Sequence, residues 1–328
     1  MKVAIVGVTG VVGRVMLDVL EERKFPITEL IPVASKKSVG RSVNFLEKNY
    51  SIVAIEELFS KKIDLAFFSA GSDISKIWAP KLAEKGIRVI DNSSYWRMCS
   101  KHKLIVPEIN GNLLEHNDMI IANPNCSTIQ LLVVLAPLHR KLTIERVIVS
   151  TYQAVSGSGH MAITQLEKEK NNEECKRIYP HSINENVIPH CDEFQENLYT
   201  REEMKLVLET KKILDNKIKL SATAVRIPIN RGHSESVNVT FSQSFNVSEI
   251  YQTLNEAKGV MVLDSPFQNK YPMPDYSKGK DEVFVGRIRR DFSHPNSLNL
   301  WNVEDNLRKG AATNAIQIAE EMIRKKIL

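Results

Sequence analysis

Short, wholly apolar runs alternate with amphipathic stretches through the first third of the chain. Lys2–Val8, Glu29–Ala34, Asp64–Phe68 and Arg88–Ile90 are rich in branched and aromatic side chains and end in glycine-bearing or polar turns. Runs of this length without strict alternation predict strands buried on both faces, as in a parallel sheet. Residues 11–22 and 72–85 read as amphipathic helices. The alternation predicts a doubly wound α/β unit, in which ligands gather at the carboxyl ends of the strands. A further buried run, Met119–Ala122, leads into Asn123-Pro124-Asn125-Cys126-Ser127-Thr128, and the apolar Ile129–Leu138 leads out. Asn, Ser and Thr with a preceding Pro are helix-start signals, so the expected order is strand, tight turn, cysteine, helix.

Beyond that helix the pattern changes. Arg146–Thr151 predicts a strand, followed by a second glycine-rich turn, Tyr152–Gly159. Residues 160–217 are charged and helical in places, and the simple alternation stops, so a second domain is expected from about Cys126. In the helical run Arg201–Leu214, Glu202 and Lys205 share a face. Leu220–Ile227 predicts a strand, and His233 opens another with Val237, Val239 and Phe241 on one face. Arg287–Asp291 reads as a charged strand end. Leu307–Lys326 predicts a last helix, with Ala311, Ala315, Ile318, Ala319 and Met322 on the face that returns to the first domain.

With 328 residues the chain is long enough for two domains and a core that needs no staples. Its net charge of +5 is spread among mixed signs, which suits an anionic small ligand and carries no nucleic-acid footprint. The four cysteines (99, 126, 175, 191) form no CxxC and read as reduced thiols, hence a cytoplasmic setting. Residues 2–8 resemble a signal segment only superficially, no run is long enough to span a bilayer, and no internal repeat or low-complexity tract stands out. His181, His190, Cys191 and Asp192 fit no common zinc spacing, so no metal is expected.

The chemistry sits at the strand ends. Gly7-Val8-Thr9-Gly10-Val11-Val12-Gly13 follows the first strand and opens a helix, a setting in which glycines let the backbone approach a pyrophosphate. Its GxxGxxG spacing departs from GxGxxG. The second strand ends in Ser35-Lys36-Lys37-Ser38, with cations and hydroxyls where an acidic residue would bind a free ribose hydroxyl. That pattern favours a 2′-phosphate, hence NADP(H). A thiol at a helix start faces open N–H groups and the positive end of the macrodipole, which favours its thiolate. Arg97 stands where an anion could be held. Arg226 and His233 flank a loop bearing Pro and Gly.

Together these stretches resemble aspartate-semialdehyde dehydrogenases over essentially the whole chain. The matching segments run in order: GVTGVVG (7–13), ASKKS (34–38), SAGS (69–72), DNSSYWR (91–97), NPNCST (123–128), YQAVSGSG (152–159), NVIPH (186–190), EEMK (202–205), RIPINRGHSES (226–236) and NVEDNLRKGAATN (302–314). The resemblance implies an α/β fold. A Rossmann-type doubly wound NADP-binding domain, residues 1–125 completed by 305–328, precedes an α+β catalytic and dimerisation domain, 126–304. It implies NADPH-dependent reduction of L-aspartyl 4-phosphate to L-aspartate 4-semialdehyde with release of phosphate, or the reverse, at the branch toward lysine (through diaminopimelate), threonine, methionine and isoleucine. By resemblance Cys126 is the nucleophile, His233 the acid/base, and Gln153 orients the thioacyl group. Arg226 pairs with the substrate carboxylate and Glu202 with its amine, Arg97 and Lys205 hold phosphate, and Asn125 helps anchor it. Cofactor contacts fall on Gly7, Thr9, Gly10, Val11, Val12, Gly13, Ser35, Lys37, Ser38, Ser69, Ala70, Gly71, Ser156, Gly157, Ser158 and Asn306. The family implies a homodimer or a dimer of dimers, with no nucleic-acid or membrane partner.

The chemistry agrees with the resemblance. Reducing an acyl phosphate needs a soft nucleophile that forms a thioester able to accept hydride, and a thiolate does both. Phosphate favours Arg, whose fork grips two oxygens. Two departures stand out: Lys37 where many relatives carry Arg, which weakens the expected NADP preference, and Asn184-Glu185 in place of an apolar pair. The alternatives are an N-acetyl-glutamyl-phosphate reductase, which offers no ammonium for Glu202 to meet, a glyceraldehyde-type dehydrogenase, and a non-catalytic relative, which would lack the Cys or the His.

Overall fold

Strands without a polar face need cover on both sides, and the first unit supplies it. In the computed structural model, which describes residues 1–328, the chain divides into two compact units, residues 1–124 with 311–328, and residues 125–310. The first opens with β1 (Lys2–Val6), α1 (Val11–Glu22) and β2 (Glu29–Val33). A hairpin, β3 (Ser42–Phe45) and β4 (Lys48–Ser51), follows. Then come β5 (Leu65–Phe68), α2 (Ser72–Glu84), β6 (Arg88–Asp91), β7 (Lys103–Leu104), α3 (Pro107–Asn110) and β8 (Ile120–Ala122). The sheet order is β2-β1-β5-β6-β8-β7, and every pair is parallel. Val3, Ala4, Ile5, Leu65, Ala66, Phe67 and Phe68 are wholly buried. The strand order reverses between β1 and β5, and such a switch point is where doubly wound sheets bind ligands.

The first unit is completed from the far end of the chain. Helical structure begins with a π-helical turn, Arg308–Ala312, and continues as an α-helix only over Thr313–Arg324. Ala315, Ile318, Ala319 and Met322 are buried along one face of that helix. Arg23, past the end of α1, grips Glu320 through two hydrogen bonds of 2.8 and 2.6 Å. Asn314 Nδ2 donates to Asn123 Oδ1 at 2.7 Å and to the Ile105 carbonyl at 3.0 Å.

The second unit begins with α4 (Cys126–Leu142), β9 (Ile144–Gln153), α5 (His160–Lys170), α6 (Arg201–Ile213), β10 (Lys219–Arg226) and β11 (His233–Phe241). It continues through α7 (Val247–Asn255), β12 (Val260–Val262), α8 (Pro274–Ser277), β13 (Val283–Arg290) and β14 (Ser297–Glu304). Its mixed sheet runs β10-β9-β11-β14-β13-β12, parallel at β10/β9 and β12/β13 and antiparallel elsewhere. The expected strand Arg146–Thr151 is longer at both ends. Gln153 is thereby the last strand residue rather than part of the glycine turn, and its pairing with Arg226 of β10 fixes where it points. Past its first turn the helix α4 is apolar nearly all round, as a helix buried on every side must be, and only its last turn is charged.

Candidate active site

The helix α4 starts at Cys126. Asn125 is its N-cap: the backbone there is extended and Oδ1 accepts from the Thr128 N–H at 3.3 Å. The rest of Asn125 is tied to α6. Its own N–H donates to Glu209 Oε2 at 2.7 Å, and Nδ2 donates to Glu202 Oε1 at 2.9 Å. Glu202 and Glu209 lie seven residues apart, two helical turns, so one face of α6 meets the start of α4. Lys205 lies between them on that face, donating to Glu202 Oε2 at 2.9 Å and to Asp192 Oδ2 at 2.7 Å. The Glu202–Lys205 pair is therefore no solvated surface pair, since Glu202 is only 7% exposed.

Three strand ends complete the cluster. Gln153 Nε2, at the end of β9, donates to Ser127 Oγ at 2.7 Å and to Glu202 Oε1 at 3.1 Å. Arg226, at the end of β10, is in register with Gln153, and its Nη1 donates to the Ala154 carbonyl at 2.6 Å. His233, the first residue of β11, accepts from the Ala154 N–H through Nδ1 at 3.0 Å. A nitrogen that accepts from an amide carries no hydrogen, so the neutral ring is protonated at Nε2. His233 Nε2 and Arg226 Nε are buried and have no hydrogen-bond partner within the protein. A Cβ added to Gly157 would lie 3.0 Å from Arg226 Nη1 and 3.3 Å from His233 Nε2, so these two donors open onto one point at the glycine turn.

The electrostatics follow from burial and neighbours. Burial would raise the carboxyl of Glu202, but the Lys205 ammonium, hydrogen bonds from Lys205 and Asn125, and the charge of Arg226 overcome it and bring it to about 2. Burial and the adjacent Arg226 push His233 down to about 3, so the ring is neutral near pH 7. Burial pushes the Cys191 thiol up to about 12, which leaves it inert.

The other site residues anticipated from sequence lie as follows. Gly7–Gly13, Ser35–Ser38 and Ser69–Gly71 lie in the first unit at the carboxyl ends of β1, β2 and β5, three adjacent strands. Gly7 has φ +93°, and a Cβ on it would meet the Ser69 carbonyl oxygen at 2.3 Å. A Cβ on Gly13 would meet the Gly7 oxygen at the same distance, while Val11 and Val12 open α1 and Thr9 is exposed. Side chains are thus excluded where the turn closes over the helix start, leaving main-chain N–H groups for a ligand. Ser35 and Lys37 are exposed beyond β2, and Ser38 is half-buried. Arg97 also belongs to the first unit, 8% exposed, with Nη2 donating to the Asn92 carbonyl at 2.8 Å. Ser156, Gly157, Ser158 and Asn306 belong to the second. There Asn306 Nδ2 donates to Ser156 Oγ at 3.0 Å and Oδ1 accepts from the Gly232 N–H at 2.9 Å.

Three participants were not anticipated: Ser127, Asp192 and Glu209. The i, i+3, i+7 spacing of Glu202, Lys205 and Glu209 could have revealed the third of these. The others depend on packing between elements distant in sequence.

Comparison with known proteins gives the family. Residues 2–117 match the NAD-binding domain of semialdehyde dehydrogenases and residues 135–309 match their dimerisation domain, so fold and site define a semialdehyde dehydrogenase. An aspartate-semialdehyde dehydrogenase of Aquifex aeolicus (strain VF5) is 49% identical, the match covering 100% of this chain and 99% of that one. The enzyme of Legionella pneumophila is 46% identical over 100% and 97% of the two chains. A crystal structure of aspartate semialdehyde dehydrogenase II from Vibrio cholerae, complexed with ASA, superposes with a TM-score of 0.94 at 42% identity, covering 98% of each chain. The chain belongs to the aspartate-semialdehyde dehydrogenase family. None of its helices is long and apolar enough to cross a membrane.

Proposed function

We propose that the protein interconverts L-aspartyl 4-phosphate and L-aspartate 4-semialdehyde with NADP(H), through a thioacyl group on Cys126. The observation that carries this reading is the contact chain at the start of α4. It links Asn125, Ser127, Gln153 and Glu202, with Arg226 and His233 opening onto the adjacent glycine turn.

The Cys126 thiolate attacks the acyl carbon, and phosphate leaves with the bonding pair, assisted by Lys205. Gln153 holds the thioacyl oxygen, together with an N–H at the start of α4. Bound NADPH supplies the hydride. His233 then acts from Nε2, the nitrogen that carries the hydrogen, by donating to the oxygen that gains charge as the carbon is reduced. The aldehyde departs as the thiolate reforms. Arg226 pairs with the substrate carboxylate. Glu202, ionised at every pH above about 2, faces the ammonium. That charge favours a free amine over an N-acylated substrate and argues against the acetylglutamyl alternative.

The glycine turn after β1, closed to side chains, suits a pyrophosphate on the start of α1. Ser35, Lys37 and Ser38 suit a 2′-phosphate. The first unit is proposed as the NADP domain, and the second as the catalytic domain and the seat of a homodimer in the cytoplasm. The test is NADPH formation from aspartate semialdehyde, NADP⁺ and phosphate. Turnover is expected. Its absence, alongside turnover of N-acetylglutamate semialdehyde, would establish the alternative.

A further inference from the structure

The second unit buries two carboxyl groups that the mechanism above does not use. Glu235 and Glu304 are each 0% exposed; neither oxygen of Glu304 has a hydrogen-bond partner, and burial pushes the Glu235 carboxyl up against the pull of its neighbour Asn302. Native proteins seldom leave buried polar atoms unpaired, and those that persist call for an explanation. These two lie where one is available.

In the β11/β14 ladder His233 is opposite Glu304 and Glu235 is opposite Asn302. Facing partners, and residues two apart on a strand, project to one side, so all four side chains share a face. That face meets α4, because Gln130 Nε2 donates to the Asn302 side-chain Oδ1 at 3.4 Å. The nearest approach is at Gly310. A Cβ built there would lie 2.5 Å from Glu304 Oε1 and 2.8 Å from Cys126 Cβ. The carboxyl of Glu304 and the base of Cys126, the first residue of α4, therefore flank the same point beside Gly310.

We propose that Glu304 is a positioning residue for the nucleophile: its carboxyl and the Cys126 thiol compete for one negative charge at the start of α4. The proposal rests on the reading of Cys126 as nucleophile. A helix start favours one adjacent anion. Two like charges in contact inside a protein oppose each other's ionisation, and one proton is distributed between them. Either Glu304 is protonated and Cys126 is a thiolate, or Glu304 is ionised and the thiol keeps its hydrogen. The groups around the pair act in both directions. Burial, Glu235 on β11 and Asp305 beside it push the Glu304 carboxyl well above the usual carboxylate range, and Lys309, itself wholly buried, draws it back. Asp305 is engaged by Arg231 at 2.7 Å and Arg308 by Asp281 at 2.7 Å. On the other side Cys126 meets the charge of Arg226, and His233 is neutral. The carboxyl is thereby displaced toward the range in which a thiol titrates.

The experiment is the pH dependence of Cys126 alkylation by iodoacetamide in the full chain, with the adduct located by peptide mass spectrometry. Glu304→Gln matches the protonated acid in size and carries no charge. Its alkylation midpoint should fall by about one pH unit, so that reaction near neutrality quickens by up to about tenfold. Glu235→Gln should move the midpoint the opposite way, because Glu304 ionises more readily without its neighbour. General loosening of the site would move both variants in the same direction. Coinciding midpoints for the parent and Glu304→Gln, or equal shifts in both variants, would overturn the proposal. Should Glu304→Gln fail to fold, Glu304→Ala is read the same way, and Glu235→Gln alone still fixes the sign. Turnover by Cys126→Ser would remove the underlying reading. Loss of turnover there, with coinciding midpoints, removes only the role of Glu304.

Discussion

Asn125 and Cys126 are neighbours in sequence with divided work. Asn125 caps α4 and ties it to α6, and Cys126 takes the first helical position, at the positive end of the dipole. Under the proposed mechanism, Cys126→Ser should lower kcat by about a thousandfold or more with the fold intact, checked by circular dichroism and steady-state kinetics. Near-parental turnover would remove Cys126 from its role. The buried neighbours titrate in ways that can be measured. Glu202 is held at about 2 against an ordinary 4.5, so it contributes stability that is complete above pH 4.5 and lost as pH falls toward 2. His233, at about 3 against 6.5, stays neutral in the native state while the unfolded chain takes up a proton. Stability therefore also falls as pH drops from 6.5 toward 3. Melting temperatures followed against pH by calorimetry should show a shallower acid decline for His233→Gln below 6.5 and for Glu202→Gln below 4.5. Slopes parallel to the parent would contradict these assignments.

Single elements carry the next level of constraint. Gly7 holds a left-handed backbone with a carbonyl oxygen 2.3 Å from where a Cβ would stand, so Gly7→Ala is strained in both conformation and space. Backbone strain of this kind costs about 1–3 kcal/mol. The expected outcome is lower stability of the first unit in urea unfolding and weaker NADP⁺ binding by calorimetric titration. Unchanged binding would mean that the turn does not meet the pyrophosphate. In α6, three charged residues share one face and brace the start of α4, which makes that helix part of the site rather than a solvated surface. Its capping box, Thr200 with Glu203, was open to reading from sequence. Its buried charged face was not, because the same residues at the same spacing describe an exposed helix equally well. Gln153 makes the same point for a strand. Its position beside Ser127 and Glu202 depends on β9 continuing to residue 153, which its pairing with Arg226 of β10 imposes.

At the scale of the whole molecule, the mixed sheet of the second unit and the match to a dimerisation domain support a dimer as the proposed assembly. Light scattering coupled to size exclusion should give twice the mass of one chain, or four times if dimers pair, and a lone chain at micromolar concentration would count against it. Cofactor choice is decided beyond β2. NADP⁺ should raise the melting temperature more than equal NAD⁺, and Lys37→Glu should reduce the difference. An equal response to both cofactors would show that Ser35, Lys37 and Ser38 do not meet a 2′-phosphate.

The α/β class, the parallel buried strands and the helix beginning at Cys126 were all determined by the sequence itself. Apolar runs, glycine turns and cap residues are local signals, read within a few residues of where they act. The hairpin β3–β4 and the strands β12 and β14 lacked such a signal and were recognised only in the fold. Tertiary structure alone decided that Glu202 is buried with Lys205 half-buried beside it, that the site-facing nitrogen of His233 carries its hydrogen, and that Glu304 and Cys126 flank one point at Gly310. Each depends on a neighbour brought from far along the chain, whether Asn125, Ala154 or Gly310. Burial, not residue type, sets the charge a side chain carries there, and no local pattern records it.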